Sequence, residues 1–378
     1  MRGLVIVAFK LLVNDRAKFA ALLVGITFAV FLMVMMTSIF SGILAKSSAT
    51  VTNVGAKVWI MDRSVTTPAS SIPLPDYVLD AARSMDGVRF AVPLYSSAAL
   101  VKLADGTFQP VTVMGLDDSS LLGRPELLEG NIQDIYAENG FLVVKDEEYP
   151  KLENPQVGTV LEINDHRAVI VGIAKVASSG LFGLPTLYTT FNRALQYLPN
   201  TRFTISYILV EPKSLDAIPG IKAQVDKLGY VALTDDDFIK RITDFYIHKT
   251  GLGTNILLMT AISFLVGLSI SGQTFYTFII ENLERFGALK AIGARSSELV
   301  AMILFQAGFA ALVGYGLGVG LCTGIMTLAK LKIPDYASII TYQNLALALG
   351  MVVIIAGVSS FMGVRRVLRI EPFEIFRS

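Results

Sequence analysis

Few residues in this chain carry reactive side chains, and their spacing limits what they could do. There are two histidines, His166 and His248, and one cysteine, Cys322. His166 falls in a hairpin turn and His248 just ahead of a long apolar run. Neither has a partner at metal-ligand spacing. Cys322 lies inside another apolar run, so a thiol–histidine pair is excluded, and a lone cysteine forms no disulfide within the chain. Asp235, Asp236 and Asp237 follow Thr234. That pattern suits a helix N-cap with acids in the first turn. A metal cluster is the sharper alternative, but no second acidic or histidine cluster lies nearby. No Gly-x-x-x-x-Gly-Lys-Ser/Thr loop occurs. Gly314, Gly316, Gly318 and Gly320 imitate a nucleotide loop only by count, inside an apolar run with no preceding strand. The pairs Gly314–Gly318 and Gly316–Gly320, four apart, suit close helix packing. The expectation is no catalytic residue, no metal and no cofactor.

One polar stretch stands out, Glu281 to Glu298, ENLERFGALKAIGARSSE. Leu283, Phe286, Leu289 and Ile292 form an apolar stripe at helical spacing, flanked by Glu281, Glu284, Arg285, Lys290 and Arg295. Gly287 and Gly293 allow close approach or bending. An apolar ridge with charged flanks suits a groove on a soluble partner. A solvated turn between spans is the other reading, and the residues alone leave both open.

The elements that must hold this stretch are apolar. Of 378 residues, 53% are hydrophobic and 17% charged, too charge-poor for an ordinary soluble protein. Four runs lack Asp, Glu, Lys and Arg: residues 19–45, 251–280, 299–329 and 336–364. Each is long enough to cross a bilayer, where about 20 apolar residues suffice. The first run is too long for a signal peptide and lacks a clean cleavage site, so an uncleaved anchor is expected. Net charge is +1, which gives no footprint for nucleic acid. The spans hold no acidic or basic side chain, which argues against a proton- or sodium-coupled carrier. Polar residues such as Asn255, Ser263, Ser269, Ser271, Gln273, Thr274 and Gln306 suit bridges between helices.

Lys and Arg near the span ends set the orientation. Arg2, Lys10, Arg16 and Lys18 precede the first span; Arg285, Lys290 and Arg295 lie between the second and third; Arg365, Arg366, Arg369 and Arg377 follow the fourth. The opposite side has only Lys46, Lys249, Lys330 and Lys332 at the span ends. Both termini are therefore expected in the cytoplasm, with residues 46–250 outside.

The expected plan is an α+β membrane protein. It has four transmembrane helices, with a large mixed α/β extracytoplasmic domain inserted between helices 1 and 2. Residues 1–18 form a cytoplasmic interfacial helix, or else the frayed start of the first span. Residues 281–298 are a cytoplasmic bridging helix, 330–335 an outer loop, and 365–378 a cytoplasmic tail. Met33, Met35 and Met36 suit adaptable packing. In the outer domain a strand at Lys57–Met61, a helix at Tyr77–Ser84 and a strand at Val88–Tyr95 are expected. The order recurs at Arg202–Val210, Leu215–Leu228 and Tyr230–Leu233, which suggests a split α/β domain. The insert between reads mostly as hairpins, about Asp105-Gly106 and Asn164-Asp165. Val176–Leu187 reads as a loop. Ile239, Ile242, Phe245 and Tyr246 form an apolar face on a helix expected to run straight into the second span.

Glu284 to Ala294 resembles, in shortened form, the E-R-x-x-E-I-G-I-L-R-A-I-G-A signature of MacB/FtsX-type ABC transporter permeases, which follows their second span. The resemblance covers the whole chain: interfacial helix, four spans, large domain after the first, and the tail Pro372 to Arg377. The KVWIMD wording resembles the DevC-like branch. One departure is that the acidic residue before the Ile-Gly is missing, with Arg285-Phe286-Gly287 closed up. The resemblance implies a homodimer in the inner membrane, in contact with membrane lipids, and an ABC ATPase subunit on each cytoplasmic face. It makes Glu281, Glu284, Arg285, Phe286, Gly287, Lys290 and Arg295 the ATPase-coupling residues. It implies ATP-driven leverage of helices 1 and 2 on the outer domains for export, and in many members a periplasmic adaptor protein. The missing nucleotide loop agrees with an ATPase on another polypeptide. The alternative is a non-transporting mechanotransmission or scaffold protein that activates a periplasmic enzyme. A lipoprotein-release subunit is a third reading, without a marker here.

Overall fold

The computed structural model describes residues 2–177, 180, 183–198, 204–333 and 336–368. The chain starts with helices α1 (Arg2–Asn14), α2 (Arg16–Ser47) and α3 (Ala49–Val54). Strand β1 (Val58–Met61), helix α4 (Asp76–Ser84) and strands β2 (Val88–Lys102), β3 (Phe108–Leu116), β4 (Glu126–Gly130) and β5 (Gly140–Val144) follow. Next come β6 (Val160–Ile163), β7 (His166–Lys175), β8 (Thr186–Thr190), α5 (Phe191–Tyr197), β9 (Tyr207–Pro212), α6 (Ile218–Lys227) and β10 (Val231–Leu233). Helices α7 (Asp235–His248), α8 (Leu252–Glu281), α9 (Leu283–Ala291), α10 (Ser296–Lys332) and α11 (Tyr342–Leu368) complete it. Two compact units divide the chain: residues 1–42 with 252–378, and residues 43–251.

In the helical unit α2, α8, α10 and α11 have 32, 30, 37 and 27 residues and are apolar enough to cross a bilayer. Helix α11 packs on both α8 and α10, and α1 packs on α10. Leu22, Ile26, Val30 and Met33 of α2 join Phe275, Phe278, Ile303, Val352 and Ile355 in one core. Polar bridges span it: Gln306 Nε2 donates to the Ala8 carbonyl at 2.8 Å, and Asn344 Nδ2 to the Ser41 hydroxyl at 3.1 Å. Asn344 was not among the polar residues picked from sequence. Helix α1 is a separate helix. Its break is set by Asp15, whose carboxylate accepts the Lys18 backbone N–H at 3.3 Å as an N-cap would.

The glycines of α10 divide by face. A Cβ on Gly314 would sit 2.6 Å from Ile26 Cγ2, and one on Gly318 2.7 Å from Val30 Cβ. These two positions let α2 approach α10 closely. Gly316 and Gly320 have no described atom near their missing Cβ, so this chain uses only one of the two expected pairs for internal packing.

In the sheet unit the strand order is β10-β1-β9-β2-β3-β8-β5-β7-β4, with β6 pairing β2 and β7. Each neighbouring pair among the first four strands is antiparallel. Helices α4 and α6 cover them through Val78, Leu79, Ala82, Ile221 and Val225. That is a β-α-β-β-α-β arrangement with a long insert in its middle. Trp59, fully buried, stacks edge-on against Tyr207 and Phe238, and its Nε1 donates to Asp235 Oδ1 at 2.6 Å. The Asp235–Asp237 run is thus a helix start: Thr234 and Asp237 form a capping box, and Asp237 also pairs with Lys222. The Lys222 ammonium and the Thr234 hydroxyl hold Asp237 down at about 2.

Several expectations need correction. Val88–Tyr95 and Leu100–Lys102 are one strand, β2; its first half pairs β9 and its second pairs β3. The insert is not only hairpins, since β3 runs parallel to β8 and β5 parallel to β7. The Asn164-Asp165 turn holds, with φ of 46° and 65°, but His166 begins β7 opposite Ile163 and lies against the Tyr197 ring. On α7 the buried face is Phe238, Ile242 and Tyr246, with Ile239 and Phe245 half-buried. Helix α7 does not run into α8, because Gly251 at φ 72° interrupts it. Lys330 and Lys332 belong to α10, and α11 starts at Tyr342, six residues after Tyr336. In between, Ile339 N–H donates to the Ser38 carbonyl at 2.9 Å. Pro334, Asp335, Arg202 and the tail with Arg369, Pro372 and Arg377 lie outside the described residues.

Candidate coupling interface

Residues 281–298 do not make one helix. Glu281 ends α8, and Asn282 (φ −95°, ψ 12°) breaks it. The nearly buried Asn282 is tied on both sides. Its Nδ2 donates to the Phe278 carbonyl at 2.8 Å, and its Oδ1 accepts from Arg285 Nη1 at 2.8 Å. Helix α9 then runs for nine residues. Gly293 N–H bonds the Lys290 carbonyl and Ala294 N–H the Leu289 carbonyl, with Gly293 at φ 107°. This is a Schellman stop, which needs the left-handed residue that glycine supplies. Arg295 N–H donates to Glu298 Oε2 at 2.8 Å as α10 begins, and a carboxylate there favours the helix start.

The apolar stripe faces inward. Phe286 is fully buried, and Leu283 and Leu289 pack against the same core. Gly287 is buried as well. Ile292 behaves differently and is 86% exposed. The exposed side of α9 carries Glu284, Arg285, Ala288 and Ala291. Ala288, Ala291 and Ile292 are spaced to form a shallow apolar ridge with Glu284 and Arg285 at its head and Arg295 beyond its foot. Lys290 is half-buried. The helical register, with Phe286 turned inward, would have singled out Ala288 and Ala291 from sequence. Their small size hid them.

The start of α2 meets this region. Lys18 Nζ lies 2.7 Å from Asp15 Oδ2 and also pairs with Glu281. The Lys18 ammonium holds Asp15 below the usual carboxylate range. Asn14, Asp15 and Arg16 face Glu281, Asn282 and Arg285 around a shallow polar hollow. Among the described residues, no group of His, Cys, Asp and Glu is arranged to hold a metal ion.

Comparison with known proteins places the chain. Residues 19–228 match the MacB-like periplasmic core domain, and residues 257–372 match the FtsX-like permease C-terminal region. An uncharacterized ABC transporter permease of Mycobacterium tuberculosis is 25% identical over 349 residues, covering 90% of each chain. The macrolide export ATP-binding/permease protein MacB of Agrobacterium fabrum is 26% identical over 298 residues, 74% of this chain and 45% of that protein. The crystal structure of the periplasmic region of MacB from Actinobacillus actinomycetemcomitans has a TM-score of 0.38 at 12% identity, covering 51% of this chain and 94% of that one. With four helices fit to cross a bilayer, this is a multi-pass membrane protein, and it belongs to the MacB/FtsX-type ABC transporter permeases, a family whose membership implies an ABC ATPase partner.

Proposed function

We propose that the chain is the permease subunit of a mechanical-lever ABC exporter, with α9 as the site where an ATPase pushes. Both termini and α9 face the cytoplasm, and residues 46–250 stand on the outer side. Two copies form the working unit, and a periplasmic adaptor extends it outward. The ATPase is a separate polypeptide. Its closure displaces α9; Phe286 and Asn282 transmit the displacement into α8, and Lys18 with Glu281 transmits it into α2. Those two helices lead in sequence to the sheet unit, so they are the levers. Glu284, Arg285 and Arg295 frame the contact, and Ile292 is its apolar tip. Phe286 and Gly287 support the helix from behind.

The observation that carries this reading is the mounting of α9: a short helix tied to α8 through the Asn282 side chain, closed at its C-terminal end by backbone hydrogen bonds, with a buried aromatic anchor and an exposed apolar tip. The absence of acidic and basic side chains from residues 19–45, 251–280, 299–329 and 336–364 favours energy supplied from outside the membrane. A non-transporting force transmitter that activates a periplasmic enzyme uses the same α9 contact and differs only in moving no cargo.

The test takes the full chain in lipid nanodiscs with the ABC ATPase that copurifies with it. Ile292→Asp and the double reversal Arg285→Glu/Lys290→Glu should each abolish permease-stimulated ATP hydrolysis while far-ultraviolet circular dichroism stays unchanged. Full stimulation by both variants would defeat the assignment. ATP-dependent movement of a molecule out of cells separates the exporter from the force transmitter.

A further inference from the structure

The sheet unit contains a cavity of about 150 Å³. Lys46, Thr112, Asp146, Thr186, Tyr188 and Tyr246 are among the residues that line it. Strand alternation builds its floor. Thr112 lies opposite Thr186 in the parallel β3–β8 pair, and Tyr188, two residues on, points the same way as Thr186. Asp146 comes from the turn after β5, and Lys46 from the end of α2.

Two features of this cavity are unusual for a folded interior. Tyr188 is only 2% exposed, yet its hydroxyl has no hydrogen-bond partner among the described residues. Buried phenols ordinarily find one. Next to it, Asp146 has one oxygen accepting the Glu148 N–H at 2.9 Å and no basic partner among the described residues. The nearby lysines are committed elsewhere. Lys46 pairs with Glu147 at 3.3 Å, and Lys151 pairs with the fully buried Glu148. Lys145, next to Asp146 in sequence, lies over the Tyr149 ring at 5.9 Å, so none of these three lysines forms an ion pair with Asp146, whose carboxylate lines the cavity. Burial, reinforced by Glu148 and Glu147, pushes Asp146 up to about 6. Asp146, Thr186 and Tyr188 line the same cavity, so carboxylate and hydroxyls are available to one ligand.

We propose that this cavity binds a small organic ammonium group, with Asp146 as counter-ion and the Tyr188 and Thr186 hydroxyls as additional hydrogen-bond acceptors. An ammonium offers three donors to match them. A divalent metal would need several more oxygen ligands with charge. An anion would meet an uncompensated carboxylate, and a neutral polyol would leave that carboxylate unpaired. The site lies wholly within residues 43–251, so it stands or falls independently of the α9 contact.

The experiment uses the full chain in lipid nanodiscs at pH 7.5 and saturation-transfer NMR. The probe is ethylammonium chloride, with propan-1-ol as the neutral analogue and sodium chloride as the ionic-strength control. Saturable binding of ethylammonium is expected, weakened about tenfold or more by Asp146→Asn and about threefold by Tyr188→Phe, with no competition from propan-1-ol or sodium. Tyr188→Phe keeps the ring and its packing, so it reads the hydroxyl alone. No saturable binding to the unmodified chain would overturn the proposal. So would unchanged affinity in Asp146→Asn, or competition by propan-1-ol at equal concentration.

Discussion

Helix α9 and the Asp146 cavity treat polar groups in opposite ways. Around α9 the side-chain amide and the helix stop are paired: Asn282 bonds the Phe278 carbonyl and the Arg285 side chain, Gly293 stops the helix, and Glu298 accepts at the next start. Its aromatic group is inside and its charges are at the surface. Around Asp146 the order is reversed, with Glu148 and the Tyr188 ring buried and the half-buried Asp146 carboxylate turned to a cavity. The first arrangement keeps its buried amide and helix stop paired and leaves only surface charges and Ile292 for a partner. The second sacrifices stability to keep unmade hydrogen bonds available. Rigidity suits a part that transmits force, and open valences suit a part that binds.

The comparison breaks most easily at Phe286. Removing a fully buried phenyl ring costs about 3–5 kcal/mol, because the cavity does not close completely. Phe286→Ala should therefore lower the thermal midpoint of the chain in nanodiscs by several degrees, and it should lose ATPase stimulation at the same time. Phe286→Leu should recover most of both. A chain that keeps its midpoint after Phe286→Ala would mean α9 is not anchored by that ring, and the contrast with the cavity would vanish.

A smaller effect probes the other region. Asp146 binds its proton more tightly when folded, at about 6 against an ordinary 3.8. The sign follows: the folded state holds more protons than the unfolded state between these values, so stability falls as pH rises through the window. The contribution is fully present below 3.8 and gone above about 6. Its size is on the order of 2 kcal/mol once partial exposure is allowed for. Asp146→Asn should flatten the slope of stability between pH 4 and pH 6 and leave the chain more stable than the original at pH 7. Denaturant unfolding followed across pH checks this. An unaltered slope in the variant would assign the dependence to other carboxylates.

Much of the architecture was legible because it follows from periodicity. The four uncharged runs are membrane-length helices, and Asp105-Gly106 and Asn164-Asp165 demand tight turns. Less legible were properties that depend on which face a residue takes. Leu283, Phe286, Leu289 and Ile292 have the spacing of a docking ridge, but the same spacing serves a helix that packs on its own protein. Only Ile292, next to the Gly293 stop, escapes inward packing. Gly316 and Gly318 are indistinguishable by composition; α2 decides that Gly318 is in contact and Gly316 is not. Parallel pairing of β3 with β8 could not be read at all, because the partners are far apart in sequence. For the same reason the cavity was invisible: Lys46, Asp146 and Tyr188 meet only through that topology.

The smallest expected effect sharpens what belongs to the rigid region. Lys18 pairs with both Asp15 and Glu281, with 27% of the lysine and 51% of the glutamate side chain exposed. Pairs this wet contribute at most about 1 kcal/mol, so Glu281→Lys should barely move the thermal midpoint. Coupling is a different quantity. If the start of α2 must follow the end of α8, opposing two ammonium groups there should reduce ATPase stimulation well beyond the change in stability. Lys18→Glu/Glu281→Lys should restore only part of it, because the swap turns Asp15 from a partner into a repelling neighbour. Equal stimulation in all three chains would confine the rigid mount to α8, α9 and α10, leaving α2 to respond through packing alone. A graded loss that tracks the charge arrangement, at constant midpoint, would instead make the Asp15–Lys18–Glu281 cluster the joint through which a push on α9 reaches the first membrane helix.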